Sequence, residues 1–223
     1  VIDNYVVRAM ERWRVYHFHD TSESSSMKKL RPINDNAYLK PDAENLAAFL
    51  YLLSQKHKEY YRRIVHTIQQ AAPFFDDFAL RPSPMNEDTI ELEWKDKNSD
   101  TPWKAHALSD GSLRFICLVT VFLQPEQFQP ETIIVDEPEL GLHPYAISLL
   151  GALIRAASKG KQVILSTQSV ELINEFDAED ILVVDHIDGQ SSFTRRSHED
   201  LAAWLDEYSL GELWKTNLIG GTP

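Results

Sequence analysis

Glycine is scarce in the first half of this chain, and its scarcity excludes a common kind of phosphate-binding loop. The 223 residues include 8 glycines, and the first of them is Gly111. A Walker A loop has the pattern GxxxxGK[ST], because its glycines let backbone N–H groups approach phosphates closely. That pattern occurs nowhere in the sequence. A nucleotide site built from these residues alone would therefore lack its usual phosphate cradle.

Cysteine and long apolar runs are equally scarce. The single cysteine, Cys117, lies in an apolar run, which favours core packing over a nucleophilic role. One cysteine provides no disulfide framework, as is typical of proteins in a reducing cytoplasm. No apolar stretch approaches the roughly 20 residues that cross a bilayer, and no secretory signal opens the sequence. These absences predict a cytoplasmic protein that has no membrane partner.

Positive charge is in short supply as well. The chain has 22 Lys and Arg against 34 Asp and Glu, which gives a formal net charge of -12. Nucleic-acid surfaces need clustered Lys and Arg, whereas the basic residues here form only small groups at 28–31 and 62–63. The charge argues against a DNA-binding module made of this chain alone. It leaves open a DNA contact made through segments outside the chain.

The most informative stretch that is present is TIIVDEPELGLHP, at residues 132–144. Its apolar residues 133–135 show no polar alternation, which predicts a strand buried on both faces, as in a parallel sheet. Asp136 and Glu137 follow at the carboxyl end of that strand, where open α/β sheets place their ligands. One carboxylate can hold a hydrated Mg²⁺, and the other can orient or deprotonate a water. Alternatively, the two residues only begin a turn before Pro138.

A second stretch, LSDGSLRF at residues 108–115, lies upstream of this strand. The nearly continuous apolar run that begins at residue 113 predicts a buried helix that stops before Pro125. Serine and glycine at a helix N-terminus form an anion site, because free N–H groups point outward and the helix dipole favours negative charge. Alternatively, Ser109 is a simple helix cap.

Other segments predict the elements around these motifs. Residues 13–20 favour a strand on which His17 and His19 share one face, either as a metal pair or, the favoured interpretation, as a structural pair. The Ser-rich segment 21–27 predicts a loop that has little to bury. We expect a small helical lobe between residues 41 and 71, with Asp42 as an N-cap. Further expected elements are a short helix at 1–14, strands at 90–94, 103–107 and 163–165, and a tail of strand, hairpin and helix after 181.

Taken in order, the signature loop, the acidic strand end and a second strand that ends in STQS resemble the ABC-class P-loop ATPases. LSDGSLRF, IIVDEPELGLHP and the later YSLGELW are similar to a bacterial family of RecF-like AAA ATPases, in the branch of RecF, RecN and SMC proteins. The resemblance implies an α/β P-loop NTPase fold with a mostly parallel sheet, flanking helices and a small helical insertion. It also implies N-terminal strands and a helical lobe in 1–107, and the ATPase core and tail in 108–223.

The resemblance implies ATP and Mg²⁺ as cofactors and assigns roles to eight residues. These are Glu137 and Gln168 in catalysis, Asp136 at the metal, and Ser109, Asp110, Gly111, Ser112 and His143 at the nucleotide. In the family the signature loop contacts ATP bound to the opposite protomer, and residues 139–143 correspond to the D-loop, so a homodimer is implied. Asp110 replaces the usual second glycine. Gln168 stands where many ABC ATPases have histidine, and glutamine can form hydrogen bonds but cannot carry a proton or a charge.

These roles imply a Mg²⁺-dependent ATPase that acts as a nucleotide-dependent dimer in DNA repair or phage defence. The alternative is a non-hydrolysing ATP-gated clamp or scaffold, which Gln168 favours and Glu137 disfavours. A nuclease is disfavoured because fewer than 60 residues follow Gln168. We interpret the lack of a Walker A loop as a sign that the chain is the C-terminal part of a longer ATPase. A degenerate ATPase that lost the loop is the alternative.

The isolated 223-residue chain should bind ATP weakly or not at all, because it has no loop of the GxxxxGK[ST] type. Isothermal titration with Mg²⁺-ATP measures this directly, with the full-length gene product titrated in parallel. Tight binding of ATP by the isolated chain would contradict the prediction.

Overall fold

The computed structural model describes residues 6–7 and 10–221, which form two compact units, Val1–Ser166 and Thr167–Pro223. The division predicted after residue 107, between N-terminal strands with a helical lobe and the ATPase core with its tail, stays a prediction. The helix predicted over residues 1–14 lies partly outside the described residues. Within it, Val6, Val7 and Met10 are helical, and a strand begins at Trp13.

The first unit combines short strands with four longer helices in its described residues. Its strands are β1 (Trp13–Tyr16), β2 (Arg31–Pro32), β3 (Phe75–Phe78), β4 (Thr89–Ile90), β5 (Glu93–Asp96), β6 (Trp103–Lys104), β7 (Thr132–Asp136) and β8 (Gln162–Ser166). Its helices are α1 (Leu46–Lys56), α2 (Lys58–Ala71), α3 (Asp110–Leu123) and α4 (Pro144–Ala157). Strands β1, β7 and β8 form a parallel sheet with β7 in the middle. The antiparallel pairs are β2 with β4, β3 with β5, and β5 with β6.

The parallel sheet is buried on one face only, so the prediction that the strand at 133–135 is buried on both faces is wrong. Ile133 and Val135 of β7 are fully buried, whereas Ile134 between them is half-buried. The prediction that β8 is a buried strand is wrong, because Ile164 is 44% exposed. In the part of the chain that the structure describes, β8 is an edge strand of the sheet, and its side chains alternate between half-buried and exposed. The predicted α/β fold with a parallel sheet and flanking helices is confirmed.

Helix α3 forms the centre of the first unit, and it begins three residues before the apolar run that predicts it. Its residues from Phe115 to Leu123 are all buried, and Cys117 is among them. Burial raises the pKa of the Cys117 thiol, as expected for a core residue rather than a nucleophile. Helices α2 and α4 both pack against α3.

The helical lobe is confirmed, but its first helix does not begin at Asp42. Helix α1 begins at Leu46, and Asn45 is its N-terminal flanking residue. The buried Asn45 amide donates to the carbonyls of Asp35 and Tyr38 and so ties the preceding turn together. The Asp42 carboxylate instead accepts the N–H of Glu44, at 3.1 Å. Helix α1 stops at Lys56, and His57 separates it from α2.

The Ser-rich loop buries more of its polar groups than its composition predicts. Thr21, Ser25 and Lys28 are each less than a tenth exposed. The Lys28 ammonium donates to the Thr21 carbonyl at 2.6 Å, and the Ser25 hydroxyl donates to the Asp20 carbonyl at 2.7 Å. The expectation that this segment has little to bury is therefore wrong, because backbone carbonyls satisfy its polar groups inside the fold.

The second unit has its own small core. Its elements are α5 (Val170–Ile173), β9 (Leu182–Ile187), β10 (Gln190–Arg195), α6 (His198–Leu205) and α7 (Leu210–Lys215). Strands β9 and β10 form the predicted hairpin, with Asp188 and Gly189 at left-handed φ in its turn. Ser197 and Ser209 begin α6 and α7 with capping boxes. Leu213 lies in the buried cluster of this unit, and Trp214 packs against it.

Helices of the described residues are all too short or too polar to cross a lipid bilayer.

Two neighbouring phenylalanines test how the first unit is stabilised. Phe75 is fully buried, whereas Phe74 is 41% exposed, and both rings lie against Trp94. Phe75→Ala should lower the free energy of unfolding by about 3–5 kcal/mol through loss of burial and cavity formation. Phe74→Ala is the matched control and should cost clearly less. Chemical denaturation of the full-length protein measures both, and equal losses would contradict this account of the core.

Candidate functional site

The first of the two predicted carboxylates ends strand β7. Asp136 is the last residue of β7 and lies in register with Ser166 of β8. Its Oδ1 accepts a hydrogen bond from the Ser166 hydroxyl, and its side chain is 57% exposed. Its Oδ2 lies 3.6 Å from Nε2 of His19. The carboxylate is thus anchored through one oxygen and open to solvent.

Glu137 follows immediately and turns the chain away from the sheet. Its φ is 41°, a left-handed value that costs a non-glycine residue roughly 1–3 kcal/mol. Its N–H donates to the Ser166 carbonyl at 3.0 Å, and its carbonyl accepts the N–H of Leu140 at 3.2 Å. The backbone of this residue is therefore held on both sides, and such held backbone strain is typical of functional sites.

These residues fit a hydrated Mg²⁺. The ion prefers hard oxygen ligands and usually keeps several of its waters. Asp136 offers an exposed carboxylate, and the hydroxyl of Ser166 lies beside it. Glu137 lines the same small cleft of about 10 Å³, which is roughly the room that one water needs.

His19 is a neighbour of Asp136 that the sequence pattern does not place at this edge. Strand β1 ends at Tyr16, so the predicted strand is wrong beyond that residue, and the two histidines do not share a strand face. The backbone N–H of His17 donates to the carbonyl of Pro41 instead. Within residues 6–7 and 10–221, no group of three His, Cys, Asp or Glu side chains is arranged to hold a metal ion.

The predicted signature loop forms the start of α3. Ser109 is the N-cap, and its hydroxyl oxygen accepts the N–H of Ser112 at 3.1 Å. The interpretation of Ser109 as a helix cap is thus correct, and it is compatible with an anion site because the first N–H groups of a helix have no intrahelical acceptor. Asp110 brings a negative charge to the same turn. A phosphate at this loop would therefore rely on backbone N–H groups and hydroxyls.

The signature loop touches the loop at residues 139–143 through two glycines. A Cβ added to Gly111 would lie 2.0 Å from the carbonyl oxygen of Gly141, closer than any real contact. Gly141 has a φ of 77°, which few other residues tolerate. The backbones of the two loops can meet because Gly111 has no side chain and Gly141 adopts a left-handed φ.

His143 closes this loop and caps helix α4. Its Nδ1 accepts the N–H of Tyr145 at 3.2 Å, and Pro144 occupies the first helical position as predicted. A ring nitrogen that accepts a hydrogen bond is unprotonated, so the proton of the neutral ring is on Nε2. The His143 side chain is exposed and presents this donor outward.

The structure thus gathers the predicted residues of the first unit into two neighbouring groups. Ser109, Gly111, Ser112 and His143 line one cavity of about 130 Å³ beside the end of α2. Asp136 and Glu137 line the smaller cleft together with His19 and Arg114. Gln168 belongs to the second unit, where it is exposed and directly precedes Ser169, the N-cap of α5.

Comparison with known proteins identifies the family. A family model described as "AAA domain, putative AbiEii toxin, Type IV TA system" matches residues 3–174. The chain belongs to this AAA-domain family. One curated relative, the mating factor M secretion protein mam1 of Schizosaccharomyces pombe, is 36% identical over 90 residues, which are 40% of this chain and 6% of that protein. The chain therefore matches only a small part of that relative's length.

Solved structures with a similar fold are heads of SMC ATPases. One comes from work on the ATP-driven dimerisation and DNA-stimulated activation of SMC ATPases; it is 22% identical, with a TM-score of 0.52 over 71% of this chain and 96% of that one. An Smc head bound to the C-terminal winged-helix domain of ScpA is 19% identical, with a TM-score of 0.55 over 77% of this chain and 50% of that one. At these identities the likeness shows the fold, which is that of the SMC- and RecF-like P-loop ATPases.

Two residues of the AAA-domain site were missed by sequence reasoning. His19 gives no local signal for its place beside Asp136, because it lies in the loop after β1, whereas Asp136 ends β7, far away along the chain. Arg114 does give a signal, as it is the only charged residue in the apolar run at 113–123. A single charge in a buried helix needs polar partners, and Arg114 finds them in the carbonyls of Phe18, His19 and Leu140.

The contact between the two glycines can be tested by adding one methyl group. Gly111→Ala should lower the free energy of unfolding by about 1–3 kcal/mol, because overpacking forces the two loops apart. Gly160→Ala is the control, since a Cβ at that position meets nothing within 4 Å. Denaturant unfolding compares the two variants, and hydrogen exchange locates the change. An equal stability of both variants, without faster exchange at residues 139–143, would refute the contact.

Proposed function

We propose that this AAA domain is part of a Mg²⁺-dependent ATPase that dimerises around ATP and hydrolyses it. One observation carries the proposal. The carboxylates at the end of β7 and the anion-binding start of α3 are held in one unit by the contact between Gly111 and Gly141. A phosphate chain needs both a metal site and backbone donors. In the proposed dimer, each protomer supplies the metal site for one ATP and the donors for the ATP held by its partner.

Each residue of the carboxylate edge has a separate role in the proposal. Asp136 would hold a hydrated Mg²⁺, since its carboxylate is exposed and anchored by Ser166. When bound, Mg²⁺ neutralises charge on the phosphates. Glu137 orients the attacking water and accepts its proton, because it directly follows Asp136 and lines the same cleft.

The second group of residues faces a partner protomer in the proposal. Ser109, Gly111 and Ser112 contact the phosphates of ATP held by the other copy, through hydroxyls and the first N–H groups of α3. Asp110 is part of the same turn and stays exposed. His143 donates from Nε2 to the nucleotide or to the partner. Gln168 forms a hydrogen bond to the attacking water or to the last phosphate.

A second candidate is an ATP-gated clamp or scaffold that binds ATP and dimerises without turnover. Two residues favour it. Gln168 cannot carry a proton, and Asp110 adds a negative charge where the family usually has glycine. Service in DNA repair or phage defence, and contact with DNA through segments outside this chain, are proposed from the resemblance to RecF and SMC proteins.

The deciding experiment compares full-length wild type with Glu137→Gln. Loss of the general base should reduce kcat by at least about 100-fold, whereas nucleotide binding should persist. The variant should therefore accumulate as an ATP-bound dimer. Steady-state phosphate release measures turnover, and light scattering measures the mass with and without Mg²⁺-ATP.

The exposed Glu126→Gln is the matched control, since it makes the same chemical change away from the site. Wild-type turnover in this control together with its loss in Glu137→Gln supports the ATPase. If wild type and both variants are inert yet dimerise with ATP, the clamp is correct. If wild type neither turns over nor dimerises, both candidates are wrong.

A further inference from the structure

The guanidinium of Arg114 binds three carbonyls, which belong to two separate loops around the candidate site. Its Nε donates to the Phe18 carbonyl at 3.0 Å, and its Nη2 donates to the His19 carbonyl at 2.9 Å. Its Nη1 donates to the Leu140 carbonyl at 3.0 Å. These acceptors are about 95 and 26 residues away along the chain. All three nitrogens of one side chain are therefore used to fix loops.

Each of these carbonyls lies close to a residue of the proposed chemistry. His19 carries the imidazole that lies 3.6 Å from Asp136. Leu140 donates its own N–H to the carbonyl of Glu137, at 3.2 Å. Arg114 is therefore linked to both carboxylate residues. It is linked to Asp136 through His19, and to Glu137 through Leu140.

Arg114 is also part of the signature helix. It lies five residues after the cap Ser109, and its Nη1 would be 3.1 Å from a Cβ added to Gly141. A displacement of α3 must therefore pull on the loop at residues 139–143 and on the loop after β1. In the described part of the chain, Arg114 forms no ion pair with a carboxylate. The acceptors of its hydrogen bonds are backbone carbonyls.

We infer that Arg114 is a positioning residue that couples the signature loop to the carboxylate edge. It fixes the position of the N-terminus of α3, which would contact phosphate, relative to Asp136 and Glu137. Engagement of a partner's nucleotide at Ser109 is thereby linked to the geometry of the general base. This inference rests on the proposed function and assigns the residue that connects its two halves.

The geometry favours arginine over lysine at this position. A guanidinium presents its N–H groups in a fixed planar fork, whereas an ammonium is a single point with three rotatable donors. Lysine can keep the charge and reach one carbonyl, but it cannot hold three carbonyls of two loops in the plane of one side chain. Arg114→Lys therefore removes the connection while it preserves charge and most of the side-chain volume.

The test compares Arg114→Lys with wild type and with Arg31→Lys in the full-length protein. Arg31 is the matched control, because it too donates to a backbone carbonyl, and it pairs with Glu44 away from the site. In Arg114→Lys we expect kcat to fall at least about tenfold while KM for ATP changes little, which lies within the usual range of coupling between sites. The ATP-induced gain in dimerisation should shrink by a similar factor, and exchange should quicken at residues 139–143.

The outcomes separate a positioning role from a structural one. Thermal unfolding is measured on the same samples, and a loss of turnover that only follows a loss of folded protein overturns the inference. Turnover and dimerisation equal to those of Arg31→Lys overturn it as well. If wild type neither hydrolyses ATP nor dimerises, the proposed function fails. A normal wild type beside a normal Arg114→Lys overturns the role of Arg114 alone. If wild type dimerises without turnover, the change in dimerisation decides.

Discussion

The close approach of Gly111 to the carbonyl of Gly141 is the constraint on which the candidate site depends. Helix α3 cannot move to relieve it, because ten of its fourteen residues are buried in the core. The loop at residues 139–143 must therefore fit against a fixed helix start. A side chain at either glycine would open this junction, since one position has no room for a Cβ and the other has a left-handed φ.

The segment 137–141 is also held at its other end, at Glu137. The N–H of Glu137 extends the ladder between β7 and β8 by one hydrogen bond, to Ser166. The chain then turns through a strained φ and reaches Gly141 only four residues later. A segment this short, fixed at both ends, has few backbone conformations open to it. Asp136 can therefore keep a defined geometry although its side chain is largely exposed, and preorganised groups of this kind suit charge stabilisation.

The sequence predicted those parts of the structure that have local causes. Ser109 caps α3, Pro144 begins α4 and the apolar run at 133–135 forms β7, because capping, ring geometry and burial act within a few residues. The exposure of Ile164 depends on which elements cover β8. The pattern of apolar residues along the strand carries no information on this. The helix begins after Asn45 rather than after Asp42. The side-chain amide of Asn45 donates to carbonyls up to ten residues upstream, which a local capping pattern does not reveal. Arg114 shows the limit most clearly, since two of its three acceptors lie about 95 residues away.

Charge explains why the proposed site must rely on backbone donors and a metal ion. The chain carries a formal net charge of -12, and Asp110, Asp136 and Glu137 place further carboxylates where phosphates would bind. Arg114 is the cation of the small cleft, and its hydrogen bonds go to carbonyls rather than to a carboxylate. Its positive charge is therefore not cancelled by an ion pair and lowers the repulsion between the carboxylates and an incoming anion. The same side chain that holds the loops together thus makes a cluster of acids compatible with a polyphosphate.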